Sequence, residues 1–223
     1  MTDVLTVVSN LFLLIPASTA WRYRRILGFL ILFTEVFASG FYHLCDSFDI
    51  CLFSFTFHHH LDFFFAQSLI VYAALYFIEF KFGYKWLHWI LMFIGMVAIA
   101  ILQATLPGEL MIQAAIAIVA FAVVAGYWII FKMPHYNWRY VLIGISLLSG
   151  SVTLFALQNV YSPMYWAIHS LWHVAAAMGM HYIIMIKKPA FWFESAASPI
   201  ISPFVHPSKR RQTVYNNFWQ LNA

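Results

Sequence analysis

WLHWILMFIGMVAIAILQATLPGELMIQAAIAIVAFAVVAGYWIIF, residues 86–131, decides the fold. Its single charged side chain is Glu109, beside the Pro107 and Gly108 break. The halves either side of that break, Trp86–Ala104 and Leu110–Phe131, each approach the ~20 helical residues that cross a hydrocarbon core of roughly 30 Å. Working outward, five more apolar runs of that length occur: Val4–Trp21, Ile26–Leu44, His59–Phe80, Tyr140–Gln158 and Met164–Ile186. The whole chain agrees, since 63% of its 223 residues are hydrophobic, 20% aromatic and only 9% charged, with a mean hydropathy of +0.80. A soluble domain carries about 25% charged residues. These numbers exclude a water-exposed globule and predict an all-α polytopic membrane protein, a bundle of seven transmembrane helices.

The cations orient it. Arg22, Arg24 and Arg25 follow the first run, Lys81 and Lys85 the third, Lys132 and Arg139 the fifth, and Lys187, Lys188, Lys209, Arg210 and Arg211 the seventh. All twelve fall on one side of a seven-span chain, and Asp3, Asp46, Asp49 and Glu109 fall on the other. The excess of Lys and Arg on the cytosolic face then places the N-terminus outside or in a lumen and the C-terminus in the cytosol. The net charge of +4 is therefore a topology signal, and no nucleic-acid partner is expected. Because its cations follow the apolar stretch, the first run reads as a retained span rather than a cleaved signal peptide. Two parts result, a membrane domain over residues 1–188 and a cytosolic tail over 189–223. In the tail Phe191, Trp192 and Phe193 suit the interface and Lys209, Arg210 and Arg211 suit anionic lipid, while its Ser and Pro content suits disorder equally. The expected location is the plasma membrane or a secretory-pathway membrane.

With so few polar groups, those inside the spans carry information. Spans four to six read as scaffold, and Ser146, Ser149 and Ser151 in span six suit either internal helix packing or a homodimer seam. The costly groups gather in spans two, three and seven: Glu35, Ser39 and His43; His58, His59, His60 and Asp62; His169, His173 and His181. In the seven-span topology His43, Asp62 and His169 lie at one depth near the outer face. His169 and His173 are four residues apart, as are Ser39 and His43, so each pair shares a helix face. Two imidazoles from one helix and His43 from another offer three neutral nitrogens to one cation, the open arrangement of catalytic zinc. Asp62 is then either a general base or the residue that orients a ligand histidine. Ser39 is placed to hydrogen-bond water or a developing oxyanion. Glu35, His59 and His60 are candidates to support the ligands from behind, although the His58 to His60 run reads chiefly as wet interfacial histidines. Cys45 and Cys51 lie in the outer loop, where they form either a disulfide bracing the chain after His43 or two free thiols. His88, His135 and His206 belong to the cytosolic side.

Four segments, SNLFLLIP (9–16), SGFYHLCD (39–46), LDFFFAQS (61–68) and HSLWHVAAAMGMHY (169–182), together resemble the CREST superfamily of seven-span hydrolases, which includes the alkaline ceramidases. The FYHLCD segment with its second Cys is most similar to the branch holding myomaker and the post-GPI-attachment phospholipases. The resemblance implies Zn2+ held by His43, His169 and His173, with Ser39 and Asp62 beside the attacking water, and an outward N-terminus. The chain departs from the myomaker-like sequences in a tail without Cys, and from the ceramidase-like spacing in a longer interval between His43 and Asp62, which includes FHHHLD. Two functions follow as expectations. One is a zinc-dependent intramembrane hydrolase of an acyl amide or ester in a membrane lipid substrate, and the other is a non-enzymatic myomaker-like fusion or remodelling protein with bound lipid and structural zinc.

Overall fold

Ser54 sets where the third long helix begins. In the computed structural model, which describes residues 3–78, 85–105, 109–131, 136–158 and 162–187, its hydroxyl accepts a hydrogen bond from the Phe57 amide at 3.2 Å. That satisfies one of the amides every helix N-terminus leaves open. The helix therefore starts at Phe55 rather than at His59, and the whole His58 to His60 run is helical.

The chain opens with α1 (Asp3–Ser9), passes through a 3-10 turn (Asn10–Leu13) and continues as α2 (Leu14–Arg22). Pro16 has no amide to bond the preceding turn, and the backbone tightens just ahead of it. A turn at Tyr23–Arg25, with Arg24 at φ 59°, reverses the chain, and the Arg25 amide donates to the Ala20 carbonyl at 2.8 Å. α3 (Ile26–Phe48) runs one turn past the expected end at Leu44 and stops at Asp49, whose φ of 56° is a left-handed cap. Asp tolerates that conformation because its short polar side chain bonds locally. Cys45 and Cys51 across this cap are joined by a disulfide, with Cα atoms 4.5 Å apart. Then follow α4 (Phe55–Phe77), α5 (Lys85–Thr105), α6 (Glu109–Ile130), α7 (Trp138–Gln158) and α8 (Tyr165–Met185). All belong to one unit, Met1–Pro189. The tail, including His206, and His135, Lys81, Lys132 and Lys188 lie outside the described residues.

Among the described residues there is helix and no strand. Six helical stretches are long and apolar enough to cross a membrane: Val4–Arg22, Ile26–Phe48, Phe55–Phe77, Trp86–Thr105, Ile112–Ile130 and Trp138–Gln158. The molecule is a helical, multi-pass membrane protein. With 21 residues α8 has the length but is not among the six, its apolar run being interrupted by His169, His173 and His181.

Two helices organise the rest. α8 packs on α1, α2 and α7, while α4 packs on α3, α5 and α6. Lipid removes the hydrophobic drive between helices, so close packing and hydrogen bonds must hold them. The α7/α8 seam is tight because glycines line it: a Cβ on Gly179 would lie 2.8 Å from the Leu148 side chain, and one on Gly144 2.8 Å from Ile183. At the end holding Arg25 and Lys187, hydroxyls do the tying. Tyr76 donates to the Ile184 carbonyl at 2.8 Å, Tyr136 donates to the Phe77 carbonyl, and Lys187 donates to Ile78 at 3.2 Å with its ammonium 4.8 Å from the Tyr76 ring.

Candidate metal centre

At the opposite end, α3 finishes where α4 and α8 start, and three imidazoles meet. His169 and His173, one turn apart on α8, have ring centroids 4.6 Å from each other. His43 on α3 lies 4.7 Å from His169 and 5.3 Å from His173 by the same measure. Each ring offers one nitrogen, and the three nitrogens all lie within 4.8 Å of one another. His43 Nε2 and His169 Nε2 are 3.0 Å apart. All three residues are at most 4% exposed. Among the described residues this is the one group of three or more His, Cys, Asp or Glu side chains placed to share an ion.

The rings are held from behind. His169 Nδ1 is 2.6 Å from Gln158 Oε1, at the end of α7. His173 Nδ1 is 2.9 Å from Ser9 Oγ, on α1, and that hydroxyl donates to the Thr6 carbonyl at 2.8 Å. His173 Nε2 is buried and has no hydrogen-bond partner among the described residues. An orphaned nitrogen in so dry a place needs a reason. Three converging imidazoles with no thiolate nearby fit a divalent ion of the zinc, copper or nickel kind, and they leave room for a further ligand. Aromatic rings close the surroundings: Tyr165 stacks 5.0 Å from His169, and Trp172 lies 4.9 Å from His169 and 4.6 Å from His173.

Ser39, one turn from His43, is 1% exposed, and Asp62 on α4 is 3% exposed. Glu35, a further turn along α3, is buried within electrostatic range of Asp62. Its Oε2 finds no hydrogen-bond partner among the described residues. The histidine run divides three ways, and the reading of three wet interfacial histidines fails for its first member. His58 is 2% exposed, packed by Phe41 and Phe53, and accepts from the Phe53 amide at 3.1 Å. Because the helix begins at Phe55, His58 turns towards α3. His59 is half-buried between Tyr42 and Phe55, and Tyr42 in turn lies 4.8 Å from the His43 ring. His60 is exposed, with Nδ1 2.7 Å from the Thr56 carbonyl, so it does not support a ligand. His181, further along α8, pairs with Thr19 at 2.9 Å.

Sequence reasoning missed the two groups behind the ligands. Span six is not pure scaffold, since its last residue touches His169. The available signal was a lone Gln closing an apolar helix at the depth of the histidines. For Ser9 the signal was weaker, being a polar pair, Ser9 and Asn10, inside the first span.

No curated protein matches the chain. Residues 1–174, which include Ser9, Ser39, His43, Asp62, Gln158, His169 and His173, match the model of a family described as "Protein of unknown function (DUF3522)", and the chain belongs to that family.

Proposed function

We propose that this protein is a zinc-dependent intramembrane hydrolase of the CREST type, cleaving an acyl amide or ester in a lipid as ceramidases and phospholipases A2 do. The observation that carries the reading is the buried triad of His43, His169 and His173, with the buried Ser39 one turn from a ligand and the buried Asp62 on the adjoining helix. A zinc ion held by three histidines keeps a position open and brings the pKa of a water there to about 7, which supplies a nucleophile without a serine triad. Asp62 accepts the proton of the attacking water and passes it to the leaving amine or alcohol as the acyl C–N or C–O bond breaks. Ser39 donates its hydroxyl hydrogen to the oxyanion that forms on the acyl carbonyl. Water reaches the bond only at the polar end of the bundle, while the acyl chain stays among apolar helices. Seven spans with the histidine end outward are part of the proposal, supported by the segregation of all twelve cations. The Cys45–Cys51 disulfide supports an oxidising compartment on that side, hence a plasma or secretory-pathway membrane.

The test is metal analysis of detergent-purified protein and of His43→Ala, His169→Ala and His173→Ala, beside mass spectrometry of a mixed lipid extract before and after incubation. We expect near one zinc per chain in the wild type, lost in the variants, and fatty acid released by the wild type alone. Zinc without turnover would move the protein to the myomaker-like reading, in which the ion braces helices for membrane remodelling. Well-folded wild type without metal, or undiminished turnover in His173→Ala, would overturn the proposal.

A further inference from the structure

Two hydrogen-bond acceptors decide which nitrogen of each α8 histidine carries its proton. The side-chain oxygen of Gln158 is an amide carbonyl, which accepts and never donates. Its 2.6 Å contact with His169 Nδ1 therefore requires a hydrogen on Nδ1, and in a neutral ring that leaves Nε2 as a bare lone pair. Ser9 reaches the same result by a different route. Its hydroxyl has one hydrogen, which is directed at the Thr6 carbonyl at 2.8 Å, so towards His173 Nδ1 at 2.9 Å it presents only a lone pair. His173 Nδ1 must then be the donor, and Nε2 is again bare. The orphaned, buried state of His173 Nε2 is what this tautomer produces. The second bare nitrogen, His169 Nε2, sits 3.0 Å from His43 Nε2.

A metal takes the lone pair of a neutral imidazole, and the hydrogen bond at the other nitrogen fixes which one that is. We infer that Ser9 and Gln158 are positioning residues: from helices on two sides of α8 they lock His173 and His169 with Nε2 turned to the shared point, and so set how tightly the site takes zinc. This rests on the metal reading above and adds to it two residues from spans that otherwise pack against lipid and neighbouring helices. Both acceptors are buried, Ser9 at 5% and Gln158 at 6% exposure, so water does not replace them when they are removed.

The experiment uses the full chain in detergent and reads zinc affinity by competition with a chromogenic chelator, together with the visible absorption of the cobalt-loaded site. Loss of such a partner typically weakens a metal site about 10- to 100-fold. Ser9→Ala and Gln158→Leu should each show a loss of that order, with a changed cobalt spectrum. Gln158→Glu, which keeps an acceptor at the same position, should hold zinc as tightly as the wild type or more so. Ser9→Cys, close in volume but a weak acceptor, should fall between Ser and Ala and guards against a Ser9→Ala protein that fails to fold. Wild-type affinity and an unchanged cobalt spectrum in Ser9→Ala and Gln158→Leu would overturn the inference and leave the metal reading standing. Failure of Gln158→Glu to restore what Gln158→Leu loses would also overturn it, showing that Gln158 only fills space. If the wild type takes neither zinc nor cobalt, the metal reading falls and this inference with it.

Discussion

The spans divide into two regions. Within Val4–Arg22, Ile26–Phe48 and Phe55–Phe77 an apolar 18-residue stretch is 44, 50 and 56% buried, against 11, 17 and 22% for the corresponding stretch of Trp86–Thr105, Ile112–Ile130 and Trp138–Gln158. The second set is the more apolar, with mean hydropathies of 2.0 to 2.1 against 1.3 to 1.6. In water that ranking would be reversed. Lipid solvates Phe121, Ile118 and Phe93, all exposed, as well as a core would. A polar group has no such alternative and pulls its helix inward. Buried polar side chains fill α1 to α4, among them Ser9, Glu35, Ser39, His43, Asp62 and Gln67, whereas none is found on α5 or α6 among the described residues. Beside an apolar core, buried polar groups therefore gather on the helices around the histidines, and the most apolar helices are the least buried.

The sharpest way to break that contrast is Asp62→Asn. The substitution keeps shape and burial and removes the carboxylate that would move the proton. We expect zinc content to persist and lipid turnover to fall about 10²- to 10⁴-fold, the usual contribution of a general base. Phe121→Leu on the lipid face of α6 should leave stability within about 0.5 kcal/mol of the wild type. Turnover unchanged in Asp62→Asn would make the buried polar layer a structural one.

A smaller effect tests whether the lipid-facing helices have any exacting contact of their own. Gly179→Ala would place a methyl 2.8 Å from the Leu148 side chain and 3.1 Å from its backbone nitrogen, so α7 must shift. The expected cost is about 1–3 kcal/mol, as for other overpacked sites. A Cβ at Gly150, on the facing helix α7, meets nothing within 4 Å, and Ala there should be neutral or stabilise by up to about 1 kcal/mol through helix propensity. Thermal unfolding in detergent distinguishes the two. Equal effects would mean that the α7/α8 seam is no tighter than the lipid face.

The sequence shows this division because the costs that create it are local. An 18-residue apolar window is visible in any chain, and so is a histidine inside one. The pairing of His169 with His173 follows from helical spacing alone, and a seven-span reading of the charges puts His43 at their depth. What lies behind the ligands is not local: Ser9 is 164 residues from His173, and nothing in either segment records which faces of α1 and α8 meet. Helix ends failed for a nearer reason. Ser54 is a visible cap, but His58 to His60 break the apolar run that marks α4, so the first turn reads as loop and His58 as wet, whereas its ring lies against α3.

The smallest expected effect bears on how the two regions are joined. Gln103 on α5 donates to Gln67 Oε1 on α4 at 3.0 Å, a polar contact between a lipid-facing helix and the buried layer. Interhelical hydrogen bonds in membranes average about 0.6 kcal/mol and reach about 1.7. A double-mutant cycle of Gln67→Leu, Gln103→Leu and the pair should give a coupling near the lower figure. The single Gln67→Leu change should cost still less, because Gln67 Nε2 is buried without a partner among the described residues and the substitution removes that orphaned donor as well. A coupling above about 2 kcal/mol would mean that α5 is held by polar contacts as the histidine region is, and the contrast would shrink to one of degree. A coupling near zero would leave α5 positioned by packing alone, with the polar layer confined to the helices that build the site.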